Sequence, residues 1–430
     1  MQVHLKTLGC RLNEAELETW SRKFRHQGHA VTAQPDEADL VVVNSCAVTE
    51  EAVRKSRKLI RRVQRSNPQA KLVVSGCYAS LNPAEIKSIP GVDLLIENRD
   101  KDRLPEIVAE KLDTLSMPDT ATEPGENLLF ARGRQRAFIK VQDGCRYKCT
   151  FCIVTEARGE ERSRPPQEII DEINALHQQG VQEAVITGVH LGGYGSDCDS
   201  NLGQLVERLL KETSIPRLRL GSLEPWDIPD NFWSLFDNPR LMPHLHLPLQ
   251  SGCDTVLRRM ARRCKTVEFS SLLSEARKMI PGLNITTDII VGFPGETDSE
   301  WQEGMDYLER LDFGHIHIFS YSPRPGTKAA RLPNAVNDET RRSRSQQLHA
   351  LADEMKQRCL DTMIGTQQEV LIETRSQDEN GDWYWGYTPN YHRVRITASR
   401  DSLETTVTMI KITGSDSGSN LLHGEITPAA

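Results

Sequence analysis

Residues 143–152 read DGCRYKCTFC, which places Cys145, Cys149 and Cys152 in a C-x3-C-x2-C arrangement. A structural zinc site or an ordinary iron–sulfur cluster takes four protein ligands, so three clustered thiolates leave one coordination position open for a substrate or cofactor. A zinc site completed by a distant histidine is the competing reading. The loop follows the apolar run FIKVQ (138–142) by two residues. That predicts thiols at the C-terminal end of a strand, where the functional loops of β/α barrels lie. Phe151 directly precedes the last cysteine, and an aromatic there can cover a cluster and pack on an adenine ring.

Outward from this loop, strand and helix patterns alternate through residues 131–360. Strands are expected at Phe138–Gln142, Glu183–Thr187, Arg217–Leu220, His244–Leu247, Ile285–Ile290 and His315–Phe319, each followed by a helical pattern. Six such β/α units predict an open or partial barrel. Residues 1–112 alternate in the same way, with apolar strands VHLKTL (3–8), LVVVNS (40–45) and KLVVS (71–75) around amphipathic helices. This predicts a doubly wound parallel sheet. Thr49 is placed to cap the second helix, with Glu50 and Glu51 in its first turn. Residues 113–130, rich in Pro, Thr and acid, read as a linker. From 361 to 425 the pattern changes to short β-type runs separated by turns, which predicts a small antiparallel β-barrel.

Cys10, Cys46 and Cys77 each stand just past one of the predicted strands of the first domain. Any one of them alone reads as a buried core residue. Their shared address, at the edge of a doubly wound sheet where ligands bind, favours a second three-thiolate site. Cys198, Cys253, Cys264 and Cys359 share no spacing and read as packing residues.

Composition sets the outer bounds. The 430 residues carry a net charge of −7 and contain no apolar run long enough to span a bilayer, and the first residues hold no signal-peptide core. A cytoplasmic location is expected, where ten cysteines serve as ligands, redox groups or core filler rather than disulfides.

Several stretches together resemble the methylthiotransferases of the radical S-adenosylmethionine (SAM) superfamily. The cysteine loop with Phe151 carries the superfamily pattern. TLGCRLNEAE, VVVNSCAVTEEA and VVSGCYA are similar to the family's first domain. CIVTEARGEERSRP, ITGVHLGGYG, HLHLPLQSG, DIIVGFPGET and FSYSPRPGTKAA are similar to its radical SAM core. The tail resembles the TRAM-like RNA-binding barrel. The resemblance implies two [4Fe-4S] clusters. Cys145, Cys149 and Cys152 would hold the one that chelates SAM, and Cys10, Cys46 and Cys77 an auxiliary cluster carrying the sulfur to be transferred. Such chemistry suits an unactivated aromatic C–H, such as carbon 2 of adenosine, which side-chain acids and bases cannot attack. Reductive cleavage of SAM to a 5′-deoxyadenosyl radical calls for a low-potential donor of flavodoxin or ferredoxin type. The sulfur source stays open.

Other candidate cofactor contacts are weaker. Ser222 and Glu224 in GSLEP follow a predicted strand and are placed to bond a ribose hydroxyl. Gln250 in LPLQSG is similar. Gly292 and Gly295 in VGFPG would let bare backbone approach the cofactor. His244 and His246 read as lining residues rather than metal ligands.

The family resemblance implies either a tRNA adenosine beside the anticodon or a ribosomal-protein aspartate as substrate. Seven Lys or Arg among residues 54–65 and five among 258–265, with Arg132, Arg134 and Arg136, favour an RNA stem-loop. The tail, with five basic and ten acidic residues in 361–430, argues against a dominant role for itself. Its Trp383, Trp385, Tyr387 and Tyr391 beside Arg393 and Arg395 are still placed to stack on bases. TLGCRLNEAE and GYTPNYHRVRI look most like the branch acting on N6-threonylcarbamoyladenosine, with Arg393 a candidate for its carboxylate and the isopentenyladenosine branch the nearest rival. Two further rivals are a non-catalytic iron–sulfur redox sensor that binds RNA and a cobalamin-dependent radical methylase. Residues 1–112 lack the D-x-H-x-x-G cobalamin loop.

Overall fold

The computed structural model describes residues 1–112, 135–378, 381–397, 407–416 and 418–426. The expected linker, Arg132 and Arg134 lie outside them. Two compact units form. The first comprises Met1–Arg132, Gln142–Arg162 and Ser322–Ala330; the second comprises Gly133–Val141, Ser163–Tyr321 and Arg331–Ala430.

In the first unit, β1 (Gln2–Thr7), β2 (Ala30–Thr32), β3 (Leu40–Ser45), β4 (Lys71–Gly76) and β5 (Leu94–Ile96) form one parallel sheet in the order β2-β1-β3-β4-β5. β3 is buried along its whole length, which is why its sequence runs apolar without alternating. Period two still sorts its side chains. Leu40 and Val42 join a core with Trp20 and Phe24 of α1 (Arg11–His26), whereas Val41 and Val43 join another with Ile60 and Val63 of α2 (Glu50–Ser66). Helices therefore cover both faces, and the sheet is doubly wound. Thr49 does cap α2, its hydroxyl accepting the Ala52 N–H at 3.1 Å. β2 and β5 have three residues each, too short to leave a periodic signal in the sequence.

In the second unit, β6 (Arg136–Lys140), β7 (Glu183–Thr187) and β8 (Arg217–Leu220) form one parallel sheet. β9 (His244–His246), β10 (Asn284–Val291) and β11 (His315–Ser320) form another. Single bridges from Leu218 to Leu241 and from Ser222 to His246 join the two into a six-stranded arc. The strands expected from sequence are all present, within two residues at either end. After the helix Asp338–Asp361, five strands close a small barrel: β12 (Gln367–Asp378), β13 (Gly381–Tyr387), β14 (Arg393–Thr397), β15 (Val407–Asp416) and β16 (Leu421–Ile426). All its pairings are antiparallel except β14 with β16. β16 had no counterpart among the expected tail strands.

The terminal barrel attaches at the N-terminal ends of the central strands. Arg217 donates to the carbonyls of Tyr387 and Glu369, Arg219 donates to that of Pro389 at 3.0 Å, and Arg136 pairs with Glu373 at 3.0 Å. Glu183 lies beneath, bonded by Arg136 at 2.6 Å and by Arg219 at 2.8 and 3.0 Å.

Candidate metal centres

All six candidate cysteine ligands belong to the first unit. β1, β3 and β4 are neighbours in its sheet, and each ends next to a cysteine. Cys10 is the N-cap of α1, Cys46 follows β3, and Cys77 opens α3 (Cys77–Leu81). The strand order reverses between β1 and β3, so Cys10 and Cys46 flank the switch point where open α/β sheets bind ligands.

Local chemistry explains why the chain turns there. Gly9 has φ +116°, and a Cβ on it would stand 2.9 Å from the Cys46 Sγ. Gly76 has φ +96°, and its Cβ would stand 2.2 Å from the Ser45 carbonyl oxygen. Only glycine tolerates both the left-handed backbone and that approach, which accounts for the G-C pairs before Cys10 and Cys77. Cys46 is tied differently. Ser56 on α2 donates to the Cys46 carbonyl at 2.9 Å and accepts its N–H at 3.0 Å. That is the reason a serine interrupts the apolar stripe of α2.

Cys46 and Cys77 are buried and Cys10 is exposed. Burial pushes the Cys46 thiol up to about 11, and its neighbours Cys77 and Cys10 add to the rise. The three cysteines stand past the ends of three adjacent strands, and two of them flank the switch point. An all-sulfur set of three suits an iron–sulfur cluster.

The second trio lies on the loop before α4 (Val154–Arg158), and all three thiols are half-buried. The Cys152 N–H donates to the Cys149 carbonyl at 3.0 Å, and the Val154 N–H to the Cys152 Sγ at 3.4 Å. Backbone donors aimed at a thiolate sulfur are the type of contact that sets a cluster's potential. Phe151 sits half-buried on this loop. The segment Ser322–Ala330 braces it, the Ala329 N–H donating to the Thr150 carbonyl at 2.8 Å.

A buried polar network, which no pattern in the sequence announces, touches the first trio and includes the residues that bracket the loop of the second. Arg158 donates to Asn13 Oδ1 at 2.8 Å, Glu16 Oε1 at 3.0 Å and Asp143 Oδ1 at 3.0 Å. Lys101 bonds Asn98 Oδ1 at 3.0 Å and pairs with Glu16 at 2.5 Å. Asn98 in turn donates to the Ala157 carbonyl at 2.7 Å and approaches the Cys77 Sγ at 3.7 Å, while Asn13 Oδ1 lies 3.8 Å from the Cys10 Sγ. Burial alone would lower the pKa of Arg158, but Glu16, Cys77 and Asp143 outweigh it and hold the guanidinium charged.

The other candidate contacts lie in the second unit. Ser222 and Glu224 follow β8, Gln250 follows β9, and Gly292 and Gly295 follow β10, so all five stand past the C-terminal ends of three neighbouring strands. Ser222 bridges to His246, and the Glu224 carboxylate accepts from Arg262 at 2.7 Å. His244 is buried against Thr286. His246, Asp288 and His317 bring ligand atoms within 4.8 Å of one another. Arg393 lies elsewhere, 3.7 Å over the Trp385 ring on the terminal barrel.

The basic clusters are partly spent internally. On α2, Arg57 pairs with Glu85, and Lys55 pairs with Glu51 at 2.9 Å; Lys58, Arg61, Arg62 and Arg65 face outward. In the second cluster Arg259 is held by Glu300 and Arg262 by Glu224. Arg136 is buried against Glu183. No described helix is long and apolar enough to cross a membrane.

A loop of three cysteines that follows in the chain the first strand of a six-stranded β/α arc is the pattern of a radical SAM enzyme. Residues 139–308 match the model of the radical SAM superfamily, and residues 2–97 match that of a family described as uncharacterized protein family UPF0004. The chain is 35% identical over 416 residues to the threonylcarbamoyladenosine tRNA methylthiotransferase MtaB of Bacillus subtilis, covering 93% of this chain and 91% of the relative. It is 37% identical to the Thermotoga maritima protein of the same name, over 86% of each. A tRNA-2-methylthio-N(6)-dimethylallyladenosine synthase of Bacillus pumilus is 33% identical, covering 100% of this chain and 86% of the relative. Among solved structures, the radical SAM methyltransferase TsrM of Kitasatospora setae superposes with a TM-score of 0.59 at 16% identity, over 76% of this chain and 77% of that one. At that identity the likeness shows the fold alone. The chain belongs to the radical SAM methylthiotransferase family. It is an enzyme that transfers a sulfur-containing group, and its superfamily works with SAM and a [4Fe-4S] cluster.

Proposed function

We propose that this enzyme adds a methylthio group to carbon 2 of N6-threonylcarbamoyladenosine next to the anticodon of tRNA. Cys145, Cys149 and Cys152 hold the SAM-binding cluster, and Cys10, Cys46 and Cys77 hold an auxiliary [4Fe-4S] cluster. The observation that carries the reading is the arrival of three thiols at the ends of three adjacent strands, two of them at the switch point. A redox sensor needs one such site; sulfur insertion needs a second, able to present sulfur. The clusters supply the electron and the sulfur when bound. The chain's part is to hold them through Ser56, Asn13 and Asn98 and to keep water from the buried thiols.

Identities of 35% and 37% to relatives named for threonylcarbamoyladenosine, against 33% to one named for dimethylallyladenosine, support the first substrate over the second. Lys58, Arg61, Arg62 and Arg65 form the row best placed to meet phosphates of the stem-loop. Phe151, Ser222, Glu224, Gln250, Gly292 and Gly295 are assigned to SAM. A low-potential flavodoxin- or ferredoxin-like donor and a cytoplasmic location complete the reading.

The test is iron and acid-labile sulfide per chain after anaerobic reconstitution, for the wild type and for each triple Cys→Ala variant. Two clusters require about eight irons in the wild type and about four in each variant. Nucleoside analysis of tRNA treated with the enzyme then decides the substrate, and recovery of 2-methylthio-N6-isopentenyladenosine instead would replace it.

A further inference from the structure

The polar network of the first unit has an arrangement that neither cluster needs for ligation. Asp143 stands two residues before Cys145, and Arg158 six residues after Cys152, so the pair brackets the loop of the second trio. Glu16 and Asn13 follow Cys10 on α1, Asn98 lies beside Cys77, and Lys101 bonds Asn98. All six meet in one interior. Lys101 is 0% and Arg158 4% exposed, with Glu16 and Asp143 each at 2%. Arg158 and Lys101 meet Glu16 and Asp143 there, the exposed Arg162 comes within 3.8 Å of Asp143, and the ion pairs of Arg158 alone span 15 to 142 residues of chain. A buried ion network is weak evidence for stability, because desolvation offsets its attraction. Its better-attested use is to fix one arrangement among several.

We propose that Arg158, Glu16, Lys101 and Asp143, with Asn13 and Asn98 at the two ends, are positioning residues that fix the two trios of thiols at one separation. The inference rests on the two-cluster reading above. Sulfur transfer requires one substrate carbon to lie within reach of both the radical source and the sulfur donor, and reacting centres tolerate little misplacement. Apolar packing could hold the segments together, but it resists sliding less than directional bonds do. Arg158 supplies the rigid fork. One Nη reaches Glu16 and Asp143, the other reaches Asn13, and the Ala157 carbonyl next to it takes Asn98. Through Asn13 the fork reaches the Cys10 sulfur, while the Cys77 sulfur is reached by Asn98 from the neighbouring Ala157 carbonyl. A lysine at 158 keeps the charge and loses the fork.

The experiment uses reconstituted full-length Arg158→Lys and Asn98→Ala. Three quantities are measured: iron per chain, magnetic coupling between the two reduced clusters by electron paramagnetic resonance, and 5′-deoxyadenosine formed per methylthio product. The expected result is about eight irons, as in the wild type, with altered coupling between the clusters. Unproductive 5′-deoxyadenosine should rise roughly tenfold, as expected when a radical forms beside a misplaced partner. Wild-type coupling and an unchanged ratio in both variants would overturn the proposal and leave the network a packing feature. If Arg158→Lys loses its iron, Asn98→Ala, which removes only one arm, decides by the same readouts. A wild type with only about four irons would instead sink the two-cluster reading itself.

Discussion

Ser56 and Cys46, ten residues apart, exchange two hydrogen bonds through one hydroxyl: the serine donates to the cysteine's carbonyl and accepts its N–H. Both residues are buried, so no water can replace the serine. Ser56→Ala leaves a backbone donor and acceptor unpaired, at a cost of about 1–3 kcal/mol each. The expected outcome is a folded chain that loses iron from the Cys10, Cys46 and Cys77 site under chelator several-fold faster than the wild type. Iron at the Cys145 loop should stay unchanged. Equal loss from both sites would show that the serine does not act on Cys46.

Gly76 and Gly282 both have positive φ, yet their surroundings differ. A Cβ at Gly76 would meet the Ser45 carbonyl at 2.2 Å, whereas one at Gly282 would meet nothing within 4 Å. Gly282→Ala should therefore cost only the left-handed strain, about 1–2 kcal/mol. Gly76→Ala adds a clash with backbone that cannot move without spoiling the β3–β4 pairing. It should yield little soluble protein, or protein without the first iron site. Thermal melts of the two variants side by side make the comparison.

Much of this was legible in sequence because it lies in periodicity and in local chemistry. The six strands of the arc and the long strands of the first unit announced themselves by apolar or alternating runs between helical patterns. β2 and β5, three residues each, lacked the length to show a period. β16 (LLHGEI) mixes polar and apolar residues, because its neighbours on both sides, rather than its own pattern, make it a strand. The partners of Arg158 were invisible for a different reason. Glu16, Lys101 and Asp143 are distant in the chain, and buried charges look like surface charges until the fold pairs them.

Glu183 illustrates the same point, with a measurable consequence. Burial alone would raise its carboxyl, but Arg219, Arg136 and Arg217 outweigh burial and hold it well below the ordinary 4.5. A carboxyl depressed on folding contributes its stability above the unfolded pKa and loses it only as pH falls through the folded value. Glu183→Gln removes the buried carboxylate that three guanidinium groups share and should cost about 3–5 kcal/mol. In urea unfolding of the apoprotein, that gap should hold steady from about pH 8 to about pH 5. It should shrink only in stronger acid. A gap that already closes near neutrality would mean that Glu183 is not held ionised.

The four tail aromatics divide into two pairs with separate fates. Tyr387 and Tyr391 stack at 5.0 Å, with Arg136 4.8 Å over one ring and Arg219 4.5 Å over the other. These two fasten the barrel to the central strands. Trp383 and Trp385 meet edge to face at 4.6 Å, with Arg395 and Arg393 over their faces. They form a half-exposed ladder on β13 and β14. Tyr391→Ala should therefore lower the unfolding midpoint of the chain without changing what the ladder can bind. Trp385→Ala should leave the midpoint in place and weaken tRNA binding by roughly 5- to 100-fold, the range for losing about 1–3 kcal/mol of stacking on one base. Because stacking carries little charge, the slope of log affinity against log salt should stay that of the wild type. Arg61→Ala/Arg62→Ala on α2 should flatten that slope by nearly two units. If Trp385→Ala binds tRNA as tightly as the wild type, the ladder is a surface feature, and recognition belongs to α2 and the second unit's loops.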